Sequence, residues 1–276
     1  MNIGFLHPGA MGISLAASAQ STGHQAYWIP NGRSPESMAR AESQKLSESE
    51  NLHEFSKSCD LIISVCPPHA ALDVAQLVVD SSFKGIYADV NAIAPEKARA
   101  IERLVSSKNI EFVDGGIIGG PAWEAESTWL YLSGARAKEV SECFDGGVLE
   151  TEVMGTEIGK ASAIKMSFAA YTKGTTALLC AIMAAADEMG VREDLEKQWS
   201  RNGSDFAERT QQRVRRVTAK AWRFSGEMEE IAATLKAAGL PEEFHLAAAD
   251  IYRRMTGFKQ NKSLPELEEV LDALKR

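Results

Sequence analysis

The chain has 276 residues, 45% hydrophobic and 25% charged, with 38 Asp and Glu against 30 Lys and Arg, a formal net charge of -8. That length buries one large core or two moderate ones, and the acidic balance argues against a nucleic-acid partner; the densest basic run, residues 213–216, is short and reads as a solvated helix face. Cys59, Cys66, Cys143 and Cys180 fit no disulfide framework, and His24, His53, His69 and His245 show no metal spacing, so a reducing cytoplasm and no metal are expected.

Strand-like residues begin at Ile3, so no targeting leader is expected. Residues 2–6 read as a first strand and residues 10–22 as a helix capped by Gly23. Residues 25–29 are a second strand, and residues 30–35 a polar turn. Residues 60–65 form a buried strand that Pro67 and Pro68 must stop. A helix over 69–79, a strand over 85–90, a helix over 95–106 and a strand over 111–114 follow, then strands over 130–133 and 147–153. This alternation predicts a doubly wound, mostly parallel Rossmann sheet over residues 1–155. From residue 156 to 189 there is no proline and the composition is helical. One long interdomain helix is expected there, leading into an all-α C-terminal domain, 156–276. Breaks are expected at Gly190, Asn202-Gly203, Gly226, Gly239 to Pro241, Gly257 and residues 263–265. The longest apolar run, 177–186, is too short to span a bilayer, so no membrane partner is expected.

The first strand ends in HPGAMG, residues 7–12. A dinucleotide loop places Gly-x-Gly-x-x-Gly between a strand and a helix. Gly9 and Gly12 take the second and third glycine places, and His7 takes the first. A residue before proline is pushed toward extended backbone, so His7-Pro8 can still leave the strand correctly. Gly9 then lets a pyrophosphate approach the N–H groups of Ala10 and Met11, and Gly12 lets the helix pack closely. For the His7 ring two readings stand, packing against neighbouring strand ends or direct contact with the cofactor.

After the second strand the chain runs Asn31-Gly32-Arg33-Ser34, with no carboxylate before Glu36. An NAD site usually carries an acid here for the ribose hydroxyls. Asn31, Arg33 and Ser34 suit a 2′-phosphate instead, so the expected cofactor is NADP(H). The competing reading is a plain polar turn.

Several segments, in order, resemble the β-hydroxyacid dehydrogenase family, which includes 3-hydroxyisobutyrate and 6-phosphogluconate dehydrogenases and has the imine reductases as relatives. They are IGFLHPGAMG, ISVCPP (63–68), DVNAIAP (89–95), DGGIIGGPA (114–122) and GTEIGKASAIKMSFAAYTKG (155–174). The chain is most similar to a poorly characterised branch of that family. The resemblance implies that Val65, Cys66 and Pro67 pass the cofactor riboses and that Asn91 lies near the nicotinamide, where its amide bonds the cofactor or merely starts a turn. It implies a substrate loop at Ile118, Gly119 and Gly120, and Lys165 as the catalytic acid/base. Hydride transfer to a carbonyl needs a proton donor at oxygen, and the reverse needs a base; a lysine can do either.

Two positions depart from the family pattern. Ile118 stands where the family has serine, and Ala169 where it has asparagine, one helical turn after Lys165. Thr172, two ideal turns on, is the candidate replacement. The function expected is an NADP(H)-dependent dehydrogenase or reductase acting on a small-molecule carbonyl or alcohol. An imine reductase and a non-catalytic NADPH-binding redox sensor are the alternatives. The resemblance also implies a homodimer through the helical domain.

Overall fold

The computed structural model describes residues 1–275 and divides into two compact units, Met1–Met166 and a second beginning at Ser167. The first unit is built on β1 (Asn2–Phe5), α1 (Ala10–Ser21), β2 (Gln25–Trp28), α2 (Pro35–Ser43), β3 (Ser47–Glu48) and α3 (Leu52–Ser58). It continues through β4 (Leu61–Ser64), α4 (Ala71–Asp80), β5 (Ile86–Asp89), α5 (Pro95–Ser106), β6 (Glu111–Gly119), β7 (Thr128–Ser133), α6 (Ala137–Glu142) and β8 (Glu150–Val153). The strands form one eight-stranded sheet in the order β3-β2-β1-β4-β5-β6-β7-β8. Every pair is parallel except β6 with β7.

The period of two along each strand explains the layering. Leu61 and Ile63 enter one core with Ile13, Leu15 and Val140, from α1 and α6. Ile62 enters the other with Phe55, Val74, Val78 and Ile101, from α3, α4 and α5. Both faces are covered, which is why β4 is apolar at nearly every position. Successive strands run outward in opposite directions from β1 and β4, so the switch point lies at their C-terminal ends, where ligands bind in such sheets.

The doubly wound sheet followed by helices agrees with the sequence reading, with local differences. Residues 30–35 are a turn only as far as Ser34. Ser34 caps α2, accepting from Ser37 N at 3.3 Å, and Pro35 occupies the first helical position. β3, α3 and α6 are short elements that carry too few residues for a clear period. β6 runs on to Gly119 because residues 114–119 pair with β7.

The helix expected from 156 starts at α7 (Lys160–Ala169), passes through a π-turn at Ala170–Gly174 and continues as α8 (Thr175–Glu188). The division between units falls inside it. Among the described residues this run is the one helix long and apolar enough to cross a membrane by length and composition. The shorter apolar run read from the sequence missed this, because small residues before 177 extend it. Ala177, Cys180, Met183 and Ala186 of α8 are buried.

The second unit continues with α9 (Arg192–Trp199), α10 (Phe206–Ala237), α11 (Glu243–Arg254) and α12 (Leu267–Lys275). Here α10 packs on α8, α11 and α12. The break expected at Gly226 is absent. An interior glycine costs about 1 kcal/mol of helix propensity, which the packing of the 32-residue α10 overrides.

Candidate functional site

The turn from β1 into α1 is set by backbone. Gly9 N donates to the His7 carbonyl at 2.8 Å, and Ile13 N donates to Gly9 O at 2.9 Å. Gly9 is the extended N-cap of α1, with no side chain bonded to the helix N-terminus. The first-turn N–H groups of Ala10, Met11 and Gly12 have no intrahelical acceptor, and the helix dipole adds positive charge there. A Cβ built on Gly9 meets nothing within 4 Å, whereas one on Gly12 runs into the His7 carbonyl. The middle glycine therefore leaves open space over the helix end, and the last glycine closes helix on strand.

His7 is half-buried, and its Nδ1 is buried without a hydrogen-bond partner among the described residues. Burial, with the Arg33 charge adding to it, pushes the imidazole down to about 4, so the ring is neutral at pH 7. Arg33 is also half-buried, and burial lowers its guanidinium from the usual range. Its Nε donates weakly to Ile29 O at 3.4 Å, and it enters no ion pair among the described residues. Asn31 is exposed and Ser34 is committed to capping α2. Arg40, which the sequence reading did not single out, donates from Nε to Pro8 O at 3.2 Å and from a terminal nitrogen to Ser37 Oγ at 3.1 Å. It ties the glycine loop to α2. The spacing Ser37 to Arg40, one turn apart on a helix that starts at Pro35, was the available signal.

At the end of β4, Val65 stands 3.9 Å from a Cβ built on Gly12, so the two loops are adjacent. Asn91 is buried and its side chain is fully engaged by protein. Its Oδ1 accepts from Cys66 N, and its Nδ2 donates to Ser64 Oγ (3.2 Å) and Asp89 Oδ2 (2.9 Å). Asn91 thus pins the Val65-Cys66-Pro67 turn to β5. This tethering of the β4 turn is a role that neither sequence reading of Asn91 named. Burial pushes the Cys66 thiol up to about 12, with Asp89 adding to the effect, so it is no thiolate at neutral pH.

Ile118 lies near the end of β6 opposite Trp129, and Gly119 turns the chain with φ +128. Thr128 Oγ1 donates to Gly120 O at 2.7 Å. Ser14 of α1 accepts from Ala122 N at 2.9 Å and donates to Met11 O at 2.8 Å, binding this loop to the nucleotide-loop helix.

The N-terminus of α7 is held by Asp114 of β6. Its carboxylate accepts from Gly159 N (3.0 Å), Ser162 N (3.0 Å), Ser162 Oγ (2.5 Å) and Ser133 Oγ (3.0 Å). Two residues on, a Cβ at Gly116 would strike Ala161 O and the Lys165 Cβ. Lys165 therefore sits one turn beyond Ser162, in contact with bare backbone on β6. The Asp-Gly-Gly run inside a strand was the sequence signal for this close approach. Ala169 is buried. Thr172 lies inside the π-turn, so the α-helical spacing that placed it on the Lys165 face does not apply; its hydroxyl donates back to Phe168 O at 2.9 Å.

The family described as the NAD binding domain of 6-phosphogluconate dehydrogenase matches residues 2–146, about half the chain and nearly the whole sheet. This chain belongs to that family. A domain of unknown function, DUF1932, matches residues 186–255. The conserved protein MTH1747, a structure of unknown function described as similar to 3-hydroxyacid dehydrogenases, is 30% identical with a TM-score of 0.68, over 92% of this chain and 98% of that one. An uncharacterized 28.5 kDa protein of Methanothermus fervidus is 29% identical over 71% of this chain and 74% of its own length. The mitochondrial 3-hydroxyisobutyrate dehydrogenase of Drosophila melanogaster is 24% identical over 70% of this chain and 56% of that protein. Membership in the 6-phosphogluconate dehydrogenase NAD-binding family makes the protein an NAD(P)-dependent oxidoreductase, and the open Gly9 loop with its uncapped helix fits such a dinucleotide.

Proposed function

We propose that the protein is an NADP(H)-dependent oxidoreductase that interconverts a small carbonyl compound and its alcohol, with Lys165 as general acid/base. The observation that carries the cofactor reading is Arg33, a half-buried guanidinium with no ion pair among the described residues, close enough to His7 to depress its pKa. A 2′-phosphate would satisfy it. The neutral His7 ring adds no competing charge, and its orphaned Nδ1 is a second polar atom available to a ligand.

The nicotinamide, when bound, supplies or accepts the hydride. The chain supplies the rest. The α1 N-terminus and Gly9 hold the pyrophosphate, Asn91 fixes the β4 turn, and the Ser14 bridge fixes the loop at Gly120. Asp114 and Gly116 set Lys165 on β6, where its ammonium gives a proton to the carbonyl oxygen or its amine takes one from the alcohol. Ile118 gives the substrate loop an apolar side chain.

The test is a panel of carbonyls and imines followed by NADPH absorbance, with Lys165→Ala alongside. Turnover of a carbonyl that falls at least about 100-fold in the variant, with NADPH affinity kept within twofold, is expected. Turnover that survives in Lys165→Ala removes the catalytic assignment. Tight NADPH binding with no turnover across the panel favours the sensor reading, and turnover of imines alone favours an imine reductase.

We further propose a cytoplasmic homodimer formed through the helical unit, where Phe168, Tyr171 and Leu178 are exposed on one helix. Light scattering on the purified chain should give twice the monomer mass.

A further inference from the structure

The second unit carries a charge cluster that the nucleotide site does not use. Arg213, Arg216, Lys220, Arg223 and Glu227 recur at three- and four-residue spacing along α10, so they share one face about 20 Å long. Arg213 fastens this face to the π-turn. It donates to Thr172 O (2.6 Å), Thr175 Oγ1 (2.8 Å) and Thr176 Oγ1 (2.7 Å). Tyr252 Oη donates to Lys173 O at 2.7 Å. These contacts satisfy backbone carbonyls that the wider π-turn leaves off the α-helical ladder.

The π-turn directs Lys173 inward. Its ammonium pairs with Glu227 and lies 4.3 Å from the centre of the Phe224 ring. The Arg223 guanidinium lies 6.0 Å from the same ring, so the two cations are neighbours. Glu227 is the acid among these five residues. Arg216, Lys220 and Arg223 are exposed, and none enters an ion pair among the described residues. On α11, by contrast, Arg253 pairs with Asp250 and with Glu229 of α10. Three cations outside any ion pair beside a half-buried fourth, in a chain of net charge -8, form a local positive field whose mutual repulsion an anion would relieve.

We propose that this face of α10, together with Lys173, binds a small molecule carrying a carboxylate or phosphate group. Arg216 and Arg223 supply planar forks that match either oxyanion, and Lys220 supplies a point charge. Lys173 has N–H groups beyond the one that Glu227 accepts. Glu227 holds Lys173 in place and competes with the ligand for it. The assignment stands independently of the nucleotide site and of Lys165.

The test is calorimetric titration of the full chain with orthophosphate and, separately, malonate, at ionic strength held constant with sodium chloride. Saturable binding of at least one anion is expected, weakened at least about tenfold in the Arg216→Ala/Arg223→Ala double variant. Glu227→Gln should bind the same anion more tightly than the parent, because the competing carboxylate is gone; a merely structural ion pair would not produce that gain. Saturation by orthophosphate alone identifies a phosphate site, and by malonate alone a carboxylate site. The proposal fails if neither anion saturates, if chloride produces the same heat, or if the double variant binds as the parent does. Should Glu227→Gln not fold, the double variant decides, since both its positions are solvent-exposed.

Discussion

Gly9 and Gly12 separate two jobs that a glycine loop performs at once. Nothing lies within 4 Å of a Cβ at Gly9, and its φ of -68 suits any residue. Gly9→Ala should leave stability within about 0.5 kcal/mol of the parent by urea unfolding and weaken dinucleotide binding at least about tenfold by fluorescence titration. Gly12→Ala drives a methyl into the His7 carbonyl, so it should cost about 1–3 kcal/mol of stability. The same two variants losing equal stability would show that Gly9 is only a packing glycine. HPGAMG was legible as this loop because both glycines and the strand-to-helix context were present. For the His7 ring the residues left two readings open, and the Arg33 charge that acts on it comes from the loop after β2, which only the fold brings near. The tethering role of Asn91 was not legible for the same reason: its three partners, Cys66, Ser64 and Asp89, become neighbours only when β4 and β5 pair.

At the scale of elements, α7 begins where one carboxylate on β6 can collect its first N–H groups. Asp114→Ala leaves two backbone donors and two hydroxyls buried without an acceptor, an expected loss of about 2–4 kcal/mol. Because Lys165 lies one turn further on, that variant should also lower turnover more than it raises KM, while NADPH affinity stays unchanged. Loss of NADPH affinity instead would place Asp114 in the cofactor site. Long periodic or fully apolar elements, such as β4 and α5, are readable from residues alone. The π-turn is not, since Ala170–Gly174 contains nothing that forbids an α-helix. The groups that bond its carbonyls, Arg213 and Tyr252, lie far off in sequence. The α2 helix was readable in principle, because Ser34-Pro35-Glu36 is a cap, a first-position proline and an acid in the first turn.

For the whole molecule, the sheet buries two carboxylates in register on adjacent strands, Asp89 and Asp114. Burial raises the Asp89 carboxyl to about 7, the Asp114 charge adding to it and the Asn91 hydrogen bonds opposing it. Unfolded, this carboxyl titrates near 4. Between about pH 4 and 7 the native state holds the proton that the unfolded state has released, so this group lowers stability as pH rises through that window. His7 acts in the opposite direction: with its native value about 4, it costs stability as pH falls below its unfolded value near 6.5. Urea midpoints across pH 4–8 should show Asp89→Asn removing close to one proton of pH dependence. An unchanged profile would mean that Asp89 is ionised throughout. Composition and rhythm conveyed the two-part architecture at this scale, whereas the pairing of two aspartates across β5 and β6 needed the register.

Titrating the full chain with NADPH and with NADH decides whether the β1 and β2 ends form an NADP(H) site. NADPH should bind at least about tenfold more tightly, and Arg33→Ala should abolish that difference by weakening NADPH alone. Equal binding of the two, or tighter binding of NADH, would rule out an NADP(H) site at these strand ends.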